Sequence, residues 1–236
     1  MNILSIGNSF SNDAQRYLND LAKKEGEQIK CANLFLGGCD LRVHYLNALN
    51  DYKKYFFEVN GVCTNLKVSI REALESREWD YVTLQQASPI SGDYDTYLPY
   101  ADYLVEEIKK RCPKAKIIIH QTWAYEKDSS PLAKTKYNTP KDMFKDISNA
   151  YKKMAKRIKV KTIIPCGEVM LNLAEKGLKM HRDGKHASLG AGRYALALTW
   201  YKVLTNKSVL NNKFVPFDEE ISEEERRLII EEVEKV

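Results

Sequence analysis

An α/β fold class follows from three features of this sequence. Short apolar runs at Ile3–Ile6, Ile29–Phe35, Tyr81–Leu84, Ile117–Ile119 and Lys161–Pro165 alternate with segments of helical periodicity. That alternation implies right-handed crossovers and a parallel sheet covered on both faces. No repeat, low-complexity tract or long linker divides the 236 residues, a length that buries a substantial core. The expectation is one three-layer α/β/α domain over 1–236, with a central, mostly parallel sheet of about five strands.

The first strand breaks at Gly7, leaving Ser9 in a turn, and Asn12 can cap the helix that follows. Ala14, Tyr17, Leu18, Leu21 and Ala22 recur at helical spacing up to Gly26. Strand two runs into Gly37-Gly38. A tyrosine-rich stretch from His44 to Phe57 suits a helix, and Phe56–Val68, centred on Asn60-Gly61, suits a hairpin. A short helix at 69–76 precedes the strand Asp80–Gln86. A helix at about 97–111 stops before Pro113. The strand Lys116–Gln121 leads into a polar loop with Trp123 and Tyr125, then a lysine-bearing helix at about 141–158. Strand five is followed by a helix at 167–175, a polar loop at 177–187 and an apolar helix at 188–204. Asn206–Phe217 reads as irregular. Ser222 with Glu225 is a capping box opening a docking helix at about 222–235.

The net charge of +5 mixes both signs, with lysines dense over 134–161 and acids over the last twenty residues. Such runs are ordinarily solvated helix faces, and the tyrosines lack nucleic-acid-binding spacing, so no nucleic-acid partner is expected. Five cysteines (31, 39, 63, 112, 166) form no CxxC pair, which favours small buried thiols in a reducing compartment. No apolar stretch approaches the ~18 residues of a membrane span. The chain begins on a core strand without a signal peptide, which predicts a cytoplasmic location unless a leader has been trimmed away.

Ser9 lies where a parallel strand hands over to a helix, the edge at which open α/β sheets bind ligands. It is either a nucleophile or a helix cap. Asp183 and His186, three apart on one loop, can orient an imidazole that takes a proton from serine. The same pair also reads as a turn aspartate beside a surface histidine. His181, Asp183 and His186 lack the helical spacing of a zincin. Gly37-Gly38 and the Gln85-Gln86 pair could bring N–H groups to an oxyanion, or they could be a turn and a strand exit. His120, Gln121, Trp123 and Tyr125 follow the fourth strand at the crevice edge, where an aromatic either contacts a sugar or pins its loop. His44 stands near the glycine loop, and Cys39 and Cys166 are rival nucleophiles without a dedicated His-Asp pair.

Taken together, Gly-Asn-Ser-Phe-Ser at 7–11, Gly-Gly-Cys-Asp-Leu-Arg-Val-His at 37–44, Trp-Asp-Tyr-Val-Thr-Leu-Gln-Gln-Ala-Ser at 79–88, His-Gln-Thr-Trp-Ala-Tyr at 120–125 and Arg-Asp-Gly-Lys-His at 182–186 resemble the SGNH/GDSL hydrolase superfamily. Specifically, they look like a largely uncharacterised bacterial branch of it. The resemblance implies a flavodoxin-like sandwich, Ser9 as nucleophile, Asp183 and His186 completing a triad, and an oxyanion hole from the N–H groups of Ser9 and Gly38 or its neighbour Gly37. The superfamily's Gly-x-Asn-Asp block is missing. Gln86, with Gln85 as the alternative, stands in for the asparagine amide. Ser11 where a glycine would close a Gly-x-Ser-x-Gly elbow argues against an α/β-hydrolase lipase.

The implied reaction is hydrolysis of short acyl esters, O-acetylated carbohydrate first, with His120, Gln121 and Trp123 contacting substrate and no metal or organic cofactor. Alternatives are a lysophospholipase, thioesterase or acyltransferase of the same chemistry, or an inactive carbohydrate-binding relative.

Overall fold

The computed structural model describes residues 1–215 and 217–236. In chain order the elements are β1 (Asn2–Gly7), α1 (Ser9–Gln15), α2 (Leu18–Lys24), β2 (Lys30–Phe35), α3 (Leu41–Leu49), β3 (Tyr55–Val59), β4 (Val62–Val68), α4 (Ile70–Glu75), β5 (Tyr81–Leu84), α5 (Tyr100–Arg111), β6 (Lys116–His120), α6 (Ser130–Ala133), α7 (Pro140–Ile158), β7 (Ile163–Ile164), α8 (Cys166–Glu175), α9 (Ala191–Thr205) and α10 (Glu223–Val233).

The sheet has seven strands in the order β4-β3-β2-β1-β5-β6-β7. The five expected strands form its parallel part, β2-β1-β5-β6-β7. The hairpin β3–β4 adds two antiparallel strands beyond β2, so the sheet is mixed and larger than expected. A hairpin at Asn60-Gly61 is legible from turn chemistry, but nothing local says that it joins the sheet. Asn60 settles this in three dimensions: its N–H donates to the Cys31 carbonyl (2.7 Å) and its Oδ1 accepts from Cys31 N (3.0 Å).

The strand order reverses at β1, whose carboxyl end opens onto the crevice of such sheets. Ile3, Leu4, Ile6, Val82, Leu84 and Ile119 are wholly buried because helices cover both faces. Helices α1, α2 and α9 pack together on one face, and α3, α4 and α5 on the other. Helix α9 is buried nearly all round (Tyr194, Ala195, Leu196, Ala197, Leu198, Trp200) because α1, α2, α8 and α10 surround it. The expected single helix after Ser9 is two, broken near Arg16. Asn12 does not cap it: Asn8 is the N-cap, and the Asn12 amide donates to Glu58 on the hairpin (2.9 Å). The stretch 206–217 carries no helix or strand among the described residues, and Pro216 lies outside them. No helix among the described residues is long and apolar enough to cross a membrane.

Helix α10 opens on a capping box of Ser222 and Glu225. Ile229 and Val233 are fully buried, and the Glu232 carboxylate accepts from Asn172 (2.8 Å), Lys176 (2.5 Å) and Lys235 (2.8 Å). Burial would raise the Glu232 carboxyl, but these three donors outweigh it and hold it at about 2 against an ordinary 4.5. A carboxyl depressed in the fold contributes stability that is complete above its unfolded value and drains away as pH falls through the folded one. Thermal melts should therefore show Glu232-linked stability lost between about pH 4.5 and pH 2, and Glu232→Gln should flatten that part of the curve.

Candidate active site

Helix α1 starts at Ser9 because Asn8 and Ser11 cap it reciprocally. Asn8 Oδ1 accepts from Phe10 N (3.0 Å) and Ser11 Oγ accepts from Asn8 N (3.0 Å). Asn8, not Ser9, is thus the cap, and the Ser9 hydroxyl is left free. It meets His186 Nε2 at 2.9 Å, and His186 Nδ1 meets Asp183 Oδ2 at 2.6 Å. Asp183 Oδ1 also accepts from the N–H groups of Lys185 (3.1 Å) and His186 (2.8 Å), closing a tight turn at Gly184, whose φ of +82° suits glycine. Partial burial works to raise the Asp183 carboxyl. Hydrogen bonds from the His186 ring and from these two N–H groups prevail, and it is lowered to about 2. The carboxylate therefore stays ionised far below neutral pH and fixes the imidazole tautomer with Nδ1 protonated and Nε2 facing the serine.

These three side chains come from chain ends 177 residues apart, and a buried ion cluster brings them together. Asp13, one turn along α1 from Ser9, is fully buried and accepts from Arg182 Nη1 (2.9 and 3.0 Å), Arg193 Nε (2.9 Å) and Ala187 N (3.2 Å). Arg182 Nη1 also donates to the Ala187 carbonyl. The loop bearing Asp183 and His186 is thus gripped at both ends by the helix bearing Ser9. Arg193 extends the network to Asp218 (2.7 Å), which also pairs with Arg16 (2.7 Å). Sequence reasoning missed this cluster. Its signal was a carboxylate on the face that carries Phe10, Ala14 and Tyr17.

Ser9 and His186 border a cavity of about 360 Å³, lined also by Asn8, Gly38, Ser88, Tyr125 and Lys185. Gly38 adopts φ +66°, a conformation that costs a side-chain-bearing residue energy, and so turns its backbone at the cavity wall. The N–H groups of Ser9 and Gly38 have no partner among the described residues. The Ser88 hydroxyl, paired with that of Tyr125 at 3.0 Å, belongs to the same lining.

Neither glutamine reaches this cavity. Gln86 donates to Thr96 O and Oγ1 (both 3.1 Å) and accepts from Leu41 N and Ala87 N, so both ends of its amide are used in joining loops. Gln85 donates to Asn8 Oδ1 (2.8 Å), and its carbonyl faces His120 Nδ1 (2.8 Å). The assignment of either amide to an oxyanion hole is corrected accordingly: both are buried struts. An amide at a strand end is equally able to face inward, and local sequence does not say which.

The expected substrate contacts are likewise buried. His120 and Trp123 are fully enclosed and Gln121 nearly so. Trp123 stacks on Phe10 at 4.0 Å between ring centroids and donates to the Lys185 carbonyl (2.8 Å), pinning the His186 loop from below. Burial lowers His120 and His44 to about 3, so both imidazoles are neutral. His44 faces Tyr55 Oη (2.9 Å) and Cys39 rather than the cavity. Burial pushes the Cys39 thiol up to about 12 and raises that of Cys166 too, which leaves neither a ready nucleophile. All five cysteines are free, and Cys63 is exposed, unlike the buried thiols expected. His181 turns to the Ala124 carbonyl (3.1 Å), and among the described residues no three His, Cys, Asp or Glu side chains are grouped to hold a metal ion.

The Asp13 cluster yields a test. Truncating one member of a buried ion cluster leaves charge uncompensated and costs about 3–5 kcal/mol. Asp13→Ala should therefore lower the Tm by about 10 °C in a chain of this size, whereas Asp20→Ala on the exposed side of α2 should leave it nearly unchanged.

Residues 2–230 match the model of the family described as a domain of unknown function, DUF4886. A DUF4886 family protein from Bacteroides uniformis has 34% identity and superposes with a TM-score of 0.92, covering 100% of this chain and 93% of that one. A protein of Slackia heliotrinireducens proposed to be an SGNH hydrolase is 21% identical, with a TM-score of 0.61 over 86% of this chain and 98% of its own. A member of the lipolytic G-D-S-L family from Veillonella parvula is 14% identical, with a TM-score of 0.57 over 88% and 100%. No curated protein matches the sequence. The more distant likenesses speak to fold, while the family model spans nearly the whole chain: it belongs to the DUF4886 family, whose fold is that of the SGNH/GDSL hydrolases.

Proposed function

We propose that this protein is a serine esterase acting on short acyl esters by a Ser-His-Asp acyl-enzyme mechanism. The observation that carries the reading is the unbroken series Ser9 Oγ, His186 Nε2, His186 Nδ1, Asp183 Oδ2 at 2.9 and 2.6 Å. It opens onto a small cavity. Ser9 attacks the acyl carbonyl as His186 takes its proton, and Asp183 stabilises the imidazolium. The N–H groups of Ser9 and Gly38 receive the developing oxyanion, and His186 returns the proton to the departing alcohol. Water then repeats the sequence on the acyl-enzyme, with His186 as base, and releases the acid. Ser88, in the segment where the superfamily carries its asparagine, replaces Gln86 in this scheme as the third donor.

The cavity at Ser9 is lined by the polar Asn8, Ser9, Ser88 and Lys185 together with Phe10, Pro89 and Tyr125. O-acetylated carbohydrate remains the substrate proposed, supported by the polar groups within that lining and not by Trp123 or His120, which are buried. A fluorophosphonate should add one mass increment to the wild type and none to Ser9→Ala; labelling that persists in the variant transfers the nucleophile elsewhere. His186→Ala should lose roughly 10³-fold or more in kcat toward p-nitrophenyl acetate with its fold intact by circular dichroism. Ser88→Ala should lower kcat by about 10- to 100-fold with little change in KM, as the loss of one oxyanion donor does. Gln86→Ala should act chiefly by lowering the Tm.

A further inference from the structure

The cavity at Ser9 is bordered by a larger groove of about 520 Å³. The two share Pro89, Tyr125 and Lys185 as lining, and the groove adds Ile90, Asp93, Lys134, Lys136 and Tyr137. Three lysines thus face one carboxylate, Asp93. Lys136 is partly neutralised by Asp146 at 3.6 Å, whereas Lys134 and Lys185 have no ion pair among the described residues.

The placement of Lys185 is built rather than incidental. Its N–H donates to Asp183, and its carbonyl accepts from the buried Trp123 indole. Its backbone is therefore fixed beside His186, and its half-buried side chain lies where the two cavities meet. The segment leading to Lys134 is fixed as well. Glu126 N donates to the Gly184 carbonyl (2.8 Å), and the short helix α6 is capped by Ser129, whose Oγ accepts from Leu132 N (3.3 Å). Lys134 follows directly after that helix.

Resting on the esterase reading, we propose that the groove is a subsite for an anion, and that the alcohol half of the ester carries a carboxylate or a comparably charged group. The acyl group sits at Ser9, and the alcohol leaves past Tyr125 toward Lys185 and Lys134. Exposed ion pairs are individually weak, so two or three acting together give roughly a tenfold preference for the charged ester. Salt screens that preference over a Debye length of about 10 Å at 0.1 M.

The test compares the methyl glycosides of O-acetylated glucuronate and O-acetylated glucose, titrated calorimetrically into Ser9→Ala so that neither is turned over. At 20 mM salt the uronate should bind about tenfold more tightly. That ratio should shrink toward one at 500 mM salt, and also when K134E and K136E, both at exposed positions, are added. Equal binding of the two glycosides, no measurable uronate binding, or a preference indifferent to both salt and the lysines would overturn the proposal. Fluorophosphonate labelling of wild-type Ser9 judges the esterase reading separately. A labelled serine with equal binding sinks the anion subsite alone, and an unlabelled serine removes the esterase whatever the glycosides do.

Discussion

The buried carboxylate of Asp13 is the constraint on which the site depends. A fully enclosed charge is costly unless every oxygen lone pair finds a donor. Here Arg182, Arg193 and the Ala187 amide supply them from two segments remote in sequence. The requirement is geometric as much as energetic, because guanidinium groups deliver hydrogen bonds in fixed planes. Satisfying Asp13 sets the distance between the first helix and the 181–187 loop, and so the distance between Ser9 and His186. Trp123 completes the support from the sheet side, stacked on Phe10 and bonded to Lys185. A hydroxyl and an imidazole at 2.9 Å are thus the visible tip of a network whose members are mostly polar and mostly buried.

A second network does the same for the start of the helix. Ser11 donates to Asn33 (2.8 Å), Asn33 donates to Glu58 (2.8 Å), and Asn12 donates to the other Glu58 oxygen (2.9 Å). Gln85 reaches Asn8 from the opposite side. The backbone around Ser9 is therefore braced by β2, the hairpin and β5 together. Burial raises the Glu58 carboxyl, while hydrogen bonds from Asn33 and Asn12 work against that rise. These residues do no chemistry in the proposed reaction; they hold the amide groups that would.

The parallel core was legible in sequence because its code is local: apolar runs of strand length, helix caps and turn residues each announce themselves within a few positions. Ser9 drew attention by its place at a strand exit, and Asp183 and His186, on the loop between α8 and α9, by the motif resemblance; the structure brings the three side chains into contact. What sequence did not disclose is direction. Gln85, Gln86, His120 and Trp123 stand at the right edge of the sheet, but whether each faces the crevice or the interior is decided by partners such as Thr96, Leu41 and the Lys185 carbonyl. Those partners come from other elements, and no spacing rule ties them to their amide or indole. Asp13 escaped notice similarly, as one acid in an amphipathic helix whose meaning lies 169 residues away in Arg182.

The hairpin has a consequence for the chain's behaviour among its own copies. By covering β2 it makes β4 the outer rail of the sheet, with Val62 and Leu66 turned to solvent. A long straight rail of that kind invites a neighbour to add a strand. This one is interrupted: its pairing with β3 slips between Phe56 and Glu58, Asn65 turns left-handed at φ +61°, and Lys67 contributes charge. At the far side β7 has two residues, too few to template anything. Both margins of the sheet therefore discourage polymerisation, one by irregularity and the other by brevity.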